Sequence, residues 1–383
     1  MRKGRILVVV RYLSAQGGVQ GVINNYYKRF DREKFDIDYL TLETVDQEFE
    51  EQVRRSGANI YRVRGVPERN LFLLEREVRR FFYKNNGYDI LHCHQTNFDT
   101  IFLYHAYRSR VPVRILHAHS TSADIPSIQL CVERFGAKRF ATHIMACSME
   151  AAVFLTGGTF SLKNDVIIVN NAFDVGAYGY CPSARQEIRE RYHISNDTCV
   201  VGQIGRLSPE KRHIVSLRAV QRLKLEGANI VLVIAGDGPE RREISKAVRA
   251  LGLCESVLLV GSIRDVPRLL SALDVYIMPS KFEGVPMALL EALANGCPVV
   301  VSDSIQMPIC ADDGVAVVPT DAGPAEWSRG IRQANDVGRL RRMDSLKAEG
   351  YDIERQVSRL ESVYEELIDC SIDDGVRFGR LAT

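Results

Sequence analysis

Short β-branched apolar runs recur along the chain, each closed by a polar or glycine-bearing turn and followed by apolar positions spaced three and four apart. The first run, Ile6–Val10, leads through the Gly17-Gly18 turn into a helix reaching about Phe30. Further strands are predicted at Phe35–Thr41, Asn59–Val63, Asp89–Cys93, Val113–His117, His143–Ala146 and Asp165–Val169. After an irregular Asn171–Pro182 stretch the pattern restarts with a helix at Arg185–Tyr192 and a strand at Thr198–Ile204. It continues with strands at Ile230–Ala235, Ser256–Val260, Val275–Met278, Pro298–Ser302 and Val315–Val318. Strands alternating with helices predict an α/β chain of two parallel sheets covered by helices, a doubly wound arrangement in each half. The junction is expected near Phe173–Pro182, giving domains of residues 1–176 and 177–352. A last helix, Ile353–Ile368, carries Ile353, Val357, Leu360, Val363, Tyr364 and Leu367 on one stripe. The tail from Ser371 lacks periodicity and is expected to be loosely held.

Composition narrows the function without naming it. At 383 residues the chain can bury two cores, and 46% hydrophobic with 26% charged residues is ordinary for a soluble globular protein. A net charge of +2 argues against a binder dominated by nucleic-acid phosphate. Nine cysteines stand singly and none forms C-x-x-C, so neither a zinc cluster nor a disulfide framework is indicated. The opening MRKGRILVVVRY has an apolar run too short for a signal peptide, and no run approaches a membrane span. A reducing cytoplasm is the expected compartment.

Chemistry concentrates in the second half. Within SKFEGVPMALLEALANGCPVVVSD, Glu283 and Glu291 stand eight positions apart. Pro286 suits the first position of a helix, where its missing N–H costs nothing. Glu291 lies inside that helix with Met287, Ala288 and Ala294 as its neighbours. A carboxylate on so apolar a surface needs donors, and paired hydroxyls would serve. Glu283 lies at the helix mouth, near the positive end of the dipole, where an anion is stabilised. Earlier, VVGQIGRLSPEKRH places Arg206 and Lys211 on a strand-to-helix loop. An Arg fork with a Lys point charge suits a diphosphate, although surface charge is the plainer reading of that pair alone. Together these features suggest a sugar nucleotide. The Gly236-Asp237-Gly238-Pro239 turn reads as a generic helix start, and the loop carrying Ile263 has the spacing to reach a nucleotide base.

In the first half, Gly17-Gly18 fails as a dinucleotide motif but suits a close backbone approach. His92 and His94, then His117 and His119, end two strands. Metal ligation is their sharpest rival reading. No carboxylate pattern completes a site, so no metal is expected; structural histidines, with one lining a cleft, remain the alternatives. Asp36-Ile37-Asp38 reads as solvent-facing alternation rather than a metal motif. The helix Leu71–Tyr83 reads as a core helix whose outer face carries Arg76, Arg79 and Arg80.

Taken together, these motifs resemble family 4 glycosyltransferases of the GT-B fold, over nearly the whole chain. The likeness rests on G-R-L-S-P-E-K with Arg206 and Lys211, on Gly236-Asp237-Gly238-Pro239, and above all on Glu283-Gly284-Val285-Pro286 through Glu291. The runs VPVRILHAHSTSAD and DVPRLLSALDVYIMPSKFEG are similar to the exopolysaccharide and capsule branch. VNNAFD at 169–174 departs from the P-N-G-I-D of many members. The resemblance implies two Rossmann-like domains facing a cleft, with the C-terminal helix crossing back to the first. It implies that Arg206 and Lys211 hold the donor diphosphate and that Glu291 accepts from the ribose. Glu283, with the backbone of Gly284, Val285, Pro286 and Met287, would orient the donor sugar. Gly17 and Gly18 would form the family's glycine loop, and His119 would line the reaction centre, with His117 as second choice. The expected activity is retaining transfer from a nucleotide-diphosphate sugar, a UDP-sugar first, to a glycan or lipid-linked glycan. No cofactor or metal, no nucleic acid and at most peripheral membrane contact are expected. A UDP-sugar epimerase of the same fold and a catalytically silent partner subunit are the alternatives.

Overall fold

The computed structural model describes the chain except residues 1, 14–17, 44, 65–69, 95, 120–125, 159–165, 284, 306–313 and 380–383. The chain forms two compact units, residues 1–173 with 353–383, and residues 174–352.

The first unit is built on a seven-stranded, wholly parallel sheet in the order β3-β2-β1-β4-β5-β6-β7. Its strands are β1 (Gly4–Val10), β2 (Phe35–Thr41), β3 (Ile60–Arg62), β4 (Ile90–Cys93), β5 (Val113–Ala118), β6 (His143–Ala146) and β7 (Ile167–Ile168). Ile6 to Val10 are at most 1% exposed, because helices cover both faces of a parallel sheet and every side chain of a central strand is buried. The helices are α1 (Gly18–Tyr27), α2 (Gln47–Arg55), α3 (Leu71–Lys84), α4 (Asp99–Arg108), α5 (Ser127–Phe140) and α6 (Met149–Thr156). The same logic corrects the reading of Asp38 as solvent-facing. It is buried on β2, where it accepts from the Asn59 amide N–H and side-chain Nδ2, each at 2.9 Å, and from the Tyr88 hydroxyl at 2.8 Å. Asp36 is exposed, as expected.

The second unit has six parallel strands in the order β10-β9-β8-β11-β12-β13. They are β8 (Cys199–Ile204), β9 (Ile230–Ala235), β10 (Val257–Gly261), β11 (Val275–Met278), β12 (Val299–Ser302) and β13 (Val315–Val318). Around them lie α7 (Pro182–Arg191), α8 (His213–Leu225), α9 (Arg241–Ala250), α10 (Val266–Ala272), α11 (Met287–Ala294), α12 (Pro324–Val337) and α13 (Met343–Ala348). Trp327 of α12 is fully buried among the sheet residues. In each sheet the order reverses between the first strand and the fourth, at β1/β4 and at β8/β11. Such reversals leave a crevice outside the carboxyl ends of the strands, where open α/β sheets bind ligands.

The last helix, α14 (Ile353–Gly379), runs through the tail that was expected to be irregular from Ser371. It belongs to the first unit, where Tyr364 is buried against Phe30 and Phe35. Glu354 of α14 pairs with Arg29, and Glu361 accepts from the Asp31 amide at 2.7 Å. The apolar stripe thus finds its partner surface on α1 and the loop that follows it.

Candidate active site

The sheet reversal in the second unit assembles the charged residues. β8 ends at Ile204, and Gly205 turns the chain at φ +153°, a region that L side chains avoid. Arg206 follows, exposed and without an ion pair among the described residues. A 3-10 turn at Pro209–Lys211 then presents Lys211. Buried Gln203 pins this turn, donating from Nε2 to the Lys211 carbonyl at 2.8 Å while accepting from Ser216 at 2.8 Å. From the neighbouring strand, the loop after β11 carries Glu283, which is ion-paired with Lys211 and as little exposed as it. The loop is held from two sides: Lys281 N–H donates to the Glu210 carbonyl at 2.8 Å, and Glu283 bridges to Ile305. Arg206, Lys211 and Glu283 therefore stand on the two loops that border the β8/β11 crevice.

Pro286 sits one position earlier than predicted. It is the N-cap of α11, with φ −75° and ψ 124°, and Met287 is the first helical residue. An extended ψ aims the Pro286 carbonyl into the helix, where it accepts from Leu289 N–H at 3.1 Å and Leu290 N–H at 3.2 Å. Val285 precedes it as a part-buried bend, and Ile263 is part-buried on the loop between β10 and α10. Gly284 and Gly17 lie outside the described residues, and Gly18 is the first residue of α1.

Glu291, one turn into α11, has a partner that its sequence neighbourhood does not disclose. Tyr178, from a 3-10 turn at Val175–Tyr178, donates its hydroxyl to Glu291 Oε1 at 2.9 Å. Burial pushes the Glu291 carboxyl up to about 7, and the tyrosine hydrogen bond offsets this only in part. Asn295, on the turn after the helix, donates to the Tyr178 carbonyl at 2.8 Å and so ties the tyrosine to the helix it serves.

The Gly236-Asp237-Gly238-Pro239 turn does more than start a helix. Gly205 N–H donates to Ala235 O at 2.9 Å, Leu207 N–H to Asp237 O at 3.0 Å, and Glu240 N–H to Leu207 O at 3.0 Å. A Cβ on Gly236 would stand 1.9 Å from the Gly205 carbonyl oxygen, and one on Gly238 would stand 2.4 Å from that of Leu207. Two glycines thus let one strand-end loop lie against the other and brace the segment that carries Arg206.

In the first unit, His92 and His94 from the β4 end and His117 and His119 from the β5 end form one stacked array. Ring centroids are 4.1 Å apart within each pair and 5.1–5.2 Å between the pairs. His119 is less buried than His117. Burial lowers the basicity of all four, to about 3 for His119, and His92, His94 and His117 further depress one another or are depressed by His119. His92, His94 and His117 each bring a nitrogen within 4.8 Å of the others.

Residues 16–176 match the family described as Glycosyltransferase Family 4, and residues 184–345 match Glycosyl transferases group 1. The "Putative glycosyltransferase EpsF" of Bacillus subtilis is 30% identical over 94% of this chain and 96% of its own length. The chain belongs to glycosyltransferase family 4. Another protein of similar sequence is the UDP-Gal:alpha-D-GlcNAc-diphosphoundecaprenol alpha-1,3-galactosyltransferase of Escherichia coli, 25% identical over 77% of this chain and 78% of that one. Among solved structures, Anabaena Alr3699/HepE in complex with UDP and glucose superposes with a TM-score of 0.79 over 95% of this chain and all of the other, at 18% identity. The chain is thus a glycosyltransferase of the GT-B fold. Beside the residues that the sequence motifs mark, the structure places Tyr178 against Glu291 and the glycine turn against the loop that carries Arg206. Both rest on contacts between segments far apart in sequence.

Proposed function

We propose that the protein is a retaining glycosyltransferase that moves a sugar from a UDP-sugar to a glycan or lipid-linked glycan in cell-surface polysaccharide synthesis. One observation carries the reading: Arg206, Lys211 and Glu283 border the crevice of the second sheet, with Glu291 on the helix that opens beside it. Arg206 and Lys211 take the diphosphate, and Lys211 exchanges its carboxylate partner for phosphate. Glu283, released from that ion pair, turns to the hydroxyls of the donor sugar. Glu291 accepts from the ribose diol, with Tyr178 holding one of its oxygens. Ile263 faces the base, and His119 in the first unit contributes to the reaction centre. The two cations and the start of α11 supply the positive charge that stabilises the leaving diphosphate, so no metal is required. Two relatives support the donor: Alr3699/HepE binds UDP-glucose, and the Escherichia coli enzyme is named for UDP-Gal and a diphosphoundecaprenol-linked acceptor.

Among the described residues no helix is long and apolar enough to cross a membrane. Peripheral contact would explain an unusual surface on the first unit. On α3, Phe72 is 91% and Tyr83 87% exposed beside exposed Arg76, Arg79 and Arg80, and on α5 Ile128, Val132 and Phe135 are exposed with Lys138 and Arg139. Aromatic and aliphatic side chains among cations suit an anionic lipid surface.

The test incubates the protein with UDP-sugars, with and without undecaprenyl-diphosphate-linked saccharides, in excess EDTA. Transfer in EDTA, with the α anomeric proton of the donor kept in the product by NMR, is expected. Loss of activity in EDTA that Mg²⁺ or Mn²⁺ restores refutes metal independence, and a β product from an α donor refutes retention. Conversion of the UDP-sugar without acceptor identifies an epimerase. No turnover at all, with intact UDP binding, favours a silent subunit.

A further inference from the structure

We propose that Tyr178 and Asn295 are positioning residues for the ribose of the donor nucleotide: Tyr178 aims the Glu291 carboxylate, and Asn295, held in turn by Arg339, keeps Tyr178 in place. The proposal rests on the reading of Glu291 as the acceptor for the ribose diol. A cis diol offers two O–H donors, and a carboxylate takes both only when its two oxygens face them together. The last torsion of a glutamate side chain is broad, so its place on α11 does not by itself set that direction. The neighbours one turn away supply no donor for it. Met287, Ala288 and Ala294 have none in their side chains. Asn295 has two, but it directs them to the Tyr178 carbonyl at 2.8 Å and the Ser271 hydroxyl at 3.2 Å. Among the described residues, the side-chain group that bonds the carboxylate is the Tyr178 hydroxyl, 2.9 Å from Oε1. It uses one lone pair of Oε1 and leaves one there and two on Oε2, enough for a diol. Its O–H also favours the charged carboxylate, against the burial that favours the protonated one.

The tyrosine can aim the carboxylate only if its own turn is fixed, and three contacts fix it. Asp174 Oδ1 accepts from Ala177 N–H at 3.2 Å and caps the Val175–Tyr178 turn. Just beyond the turn, Cys181 N–H donates to Ser271 Oγ of α10 at 3.1 Å. Between these two, Asn295 holds the Tyr178 carbonyl. The Asn295 amide can point only one way. Its Oδ1 accepts from Arg339 Nη1, and a guanidinium only donates, so Nδ2 must face the tyrosine. Arg339 is itself locked, because its Nη2 donates to Leu270 O at 2.9 Å, to Ser271 O at 3.0 Å and to Leu273 O, the carbonyls at the end of α10. Its Cζ lies 4.3 Å from the centroid of the Tyr180 ring. Arginine to amide, amide to carbonyl and phenol to carboxylate, the donors all run one way, and the line ends at the ribose acceptor. Every member stands in the second unit.

The experiment is calorimetry of UDP and of pyrophosphate on the full-length protein, in a double-mutant cycle of Tyr178→Phe and Glu291→Gln. Tyr178→Phe keeps the ring and loses only the O–H. It is expected to weaken UDP about tenfold and to leave pyrophosphate unchanged, since the lost bond is to a charged group that only the nucleoside uses. In the Glu291→Gln background the same change should weaken UDP by less than about twofold, because no carboxylate is left to aim. In turnover the donor KM should rise while kcat stays within about twofold, as for a contact equal in the ground and transition states. Asn295→Asp keeps an oxygen for Arg339 but turns a second one toward the Tyr178 carbonyl. It should weaken UDP alone, and not add to Tyr178→Phe. An equal UDP loss from Tyr178→Phe in both backgrounds, or an equal loss of pyrophosphate, marks a structural tyrosine and overturns the proposal. Unchanged UDP affinity in Tyr178→Phe, with UDP weakened in Glu291→Gln, overturns it while leaving the ribose reading intact. Unchanged UDP affinity in Glu291→Gln overturns the ribose reading and this proposal with it. Wild-type UDP affinity in Asn295→Asp overturns the place of Asn295.

Discussion

Glu283 and Glu291 are two carboxylates eight positions apart, and their surroundings separate them chemically. Glu283 is paired with a cation, Lys211. Glu291 has only a phenol and an apolar helix, and burial holds its proton up to about 7. Calorimetry can divide their ligands. Arg206→Ala and Lys211→Ala each remove a charged hydrogen bond worth about 1.5–3 kcal/mol, so UDP and pyrophosphate should both bind roughly tenfold to a hundredfold more weakly. Glu291→Ala should weaken UDP alone, because pyrophosphate has no diol. Unchanged pyrophosphate affinity in the Arg206 and Lys211 double variant removes the diphosphate assignment. Equal losses of both ligands in Glu291→Ala would make that residue structural. The motif pointed to both carboxylates, but Tyr178 could not be found the same way: it lies 113 residues from its partner, in a stretch with no periodicity.

At the scale of elements, the strand pattern placed the thirteen strands among the described residues to within two residues, since each is an apolar β-branched run closed by a turn. Helix limits were less legible. Pro286 satisfied the rule for a first helical residue and also the rule for an extended cap, and only the backbone decided. The tail after Ser371 continues as helix without apolar periodicity, because a helix already nucleated propagates at little cost. The glycine brace is an element-scale device, and Gly236→Ala tests it. Gly236 has φ +137° and meets backbone rather than a movable side chain, so the variant should unfold at lower temperature and lose UDP affinity together. An Ala variant with wild-type Tm and UDP affinity would show that the two loops are independent. Ala at Gly252, where φ is +70° with open space around the Cβ, supplies the comparison for backbone strain alone.

For the whole molecule, the titrating groups make the two units unequal in acid. The four histidines of the array, with His105 and His143, are less basic in the folded first unit than in an unfolded chain. Below about pH 6.5 the unfolded chain takes up protons that the folded unit refuses, so stability is lost as pH falls, by about 1.4 kcal/mol per pH unit for each fully buried histidine. Raised carboxyls act in the opposite sense between about pH 4.5 and 7, as the folded state then holds the extra proton. Asp99 and Glu133 offset part of the loss in the first unit, whereas in the second unit His213, lowered to about 4, is balanced by Glu291 at about 7. The first unit should therefore unfold first between pH 6.5 and 4.5. The single tryptophan, Trp327, is buried in the second unit and reports that unit alone. Far-UV dichroism should fall before Trp327 fluorescence shifts, and coincident transitions would contradict this asymmetry.

Local order in the chain was sufficient for the strands, the two-unit α/β plan and the charged motifs at the strand ends, because periodicity, turn residues and short spacing are properties of neighbours. What surrounds each motif was not. The burial of Asp38, the phenol on Glu291, the loop laid against Gly236 and the guanidinium on Asn295 each join segments distant in sequence. Whether a polar side chain is solvated or buried, and which proton it holds, depends on the groups that folding brings against it. Tertiary packing alone decided those.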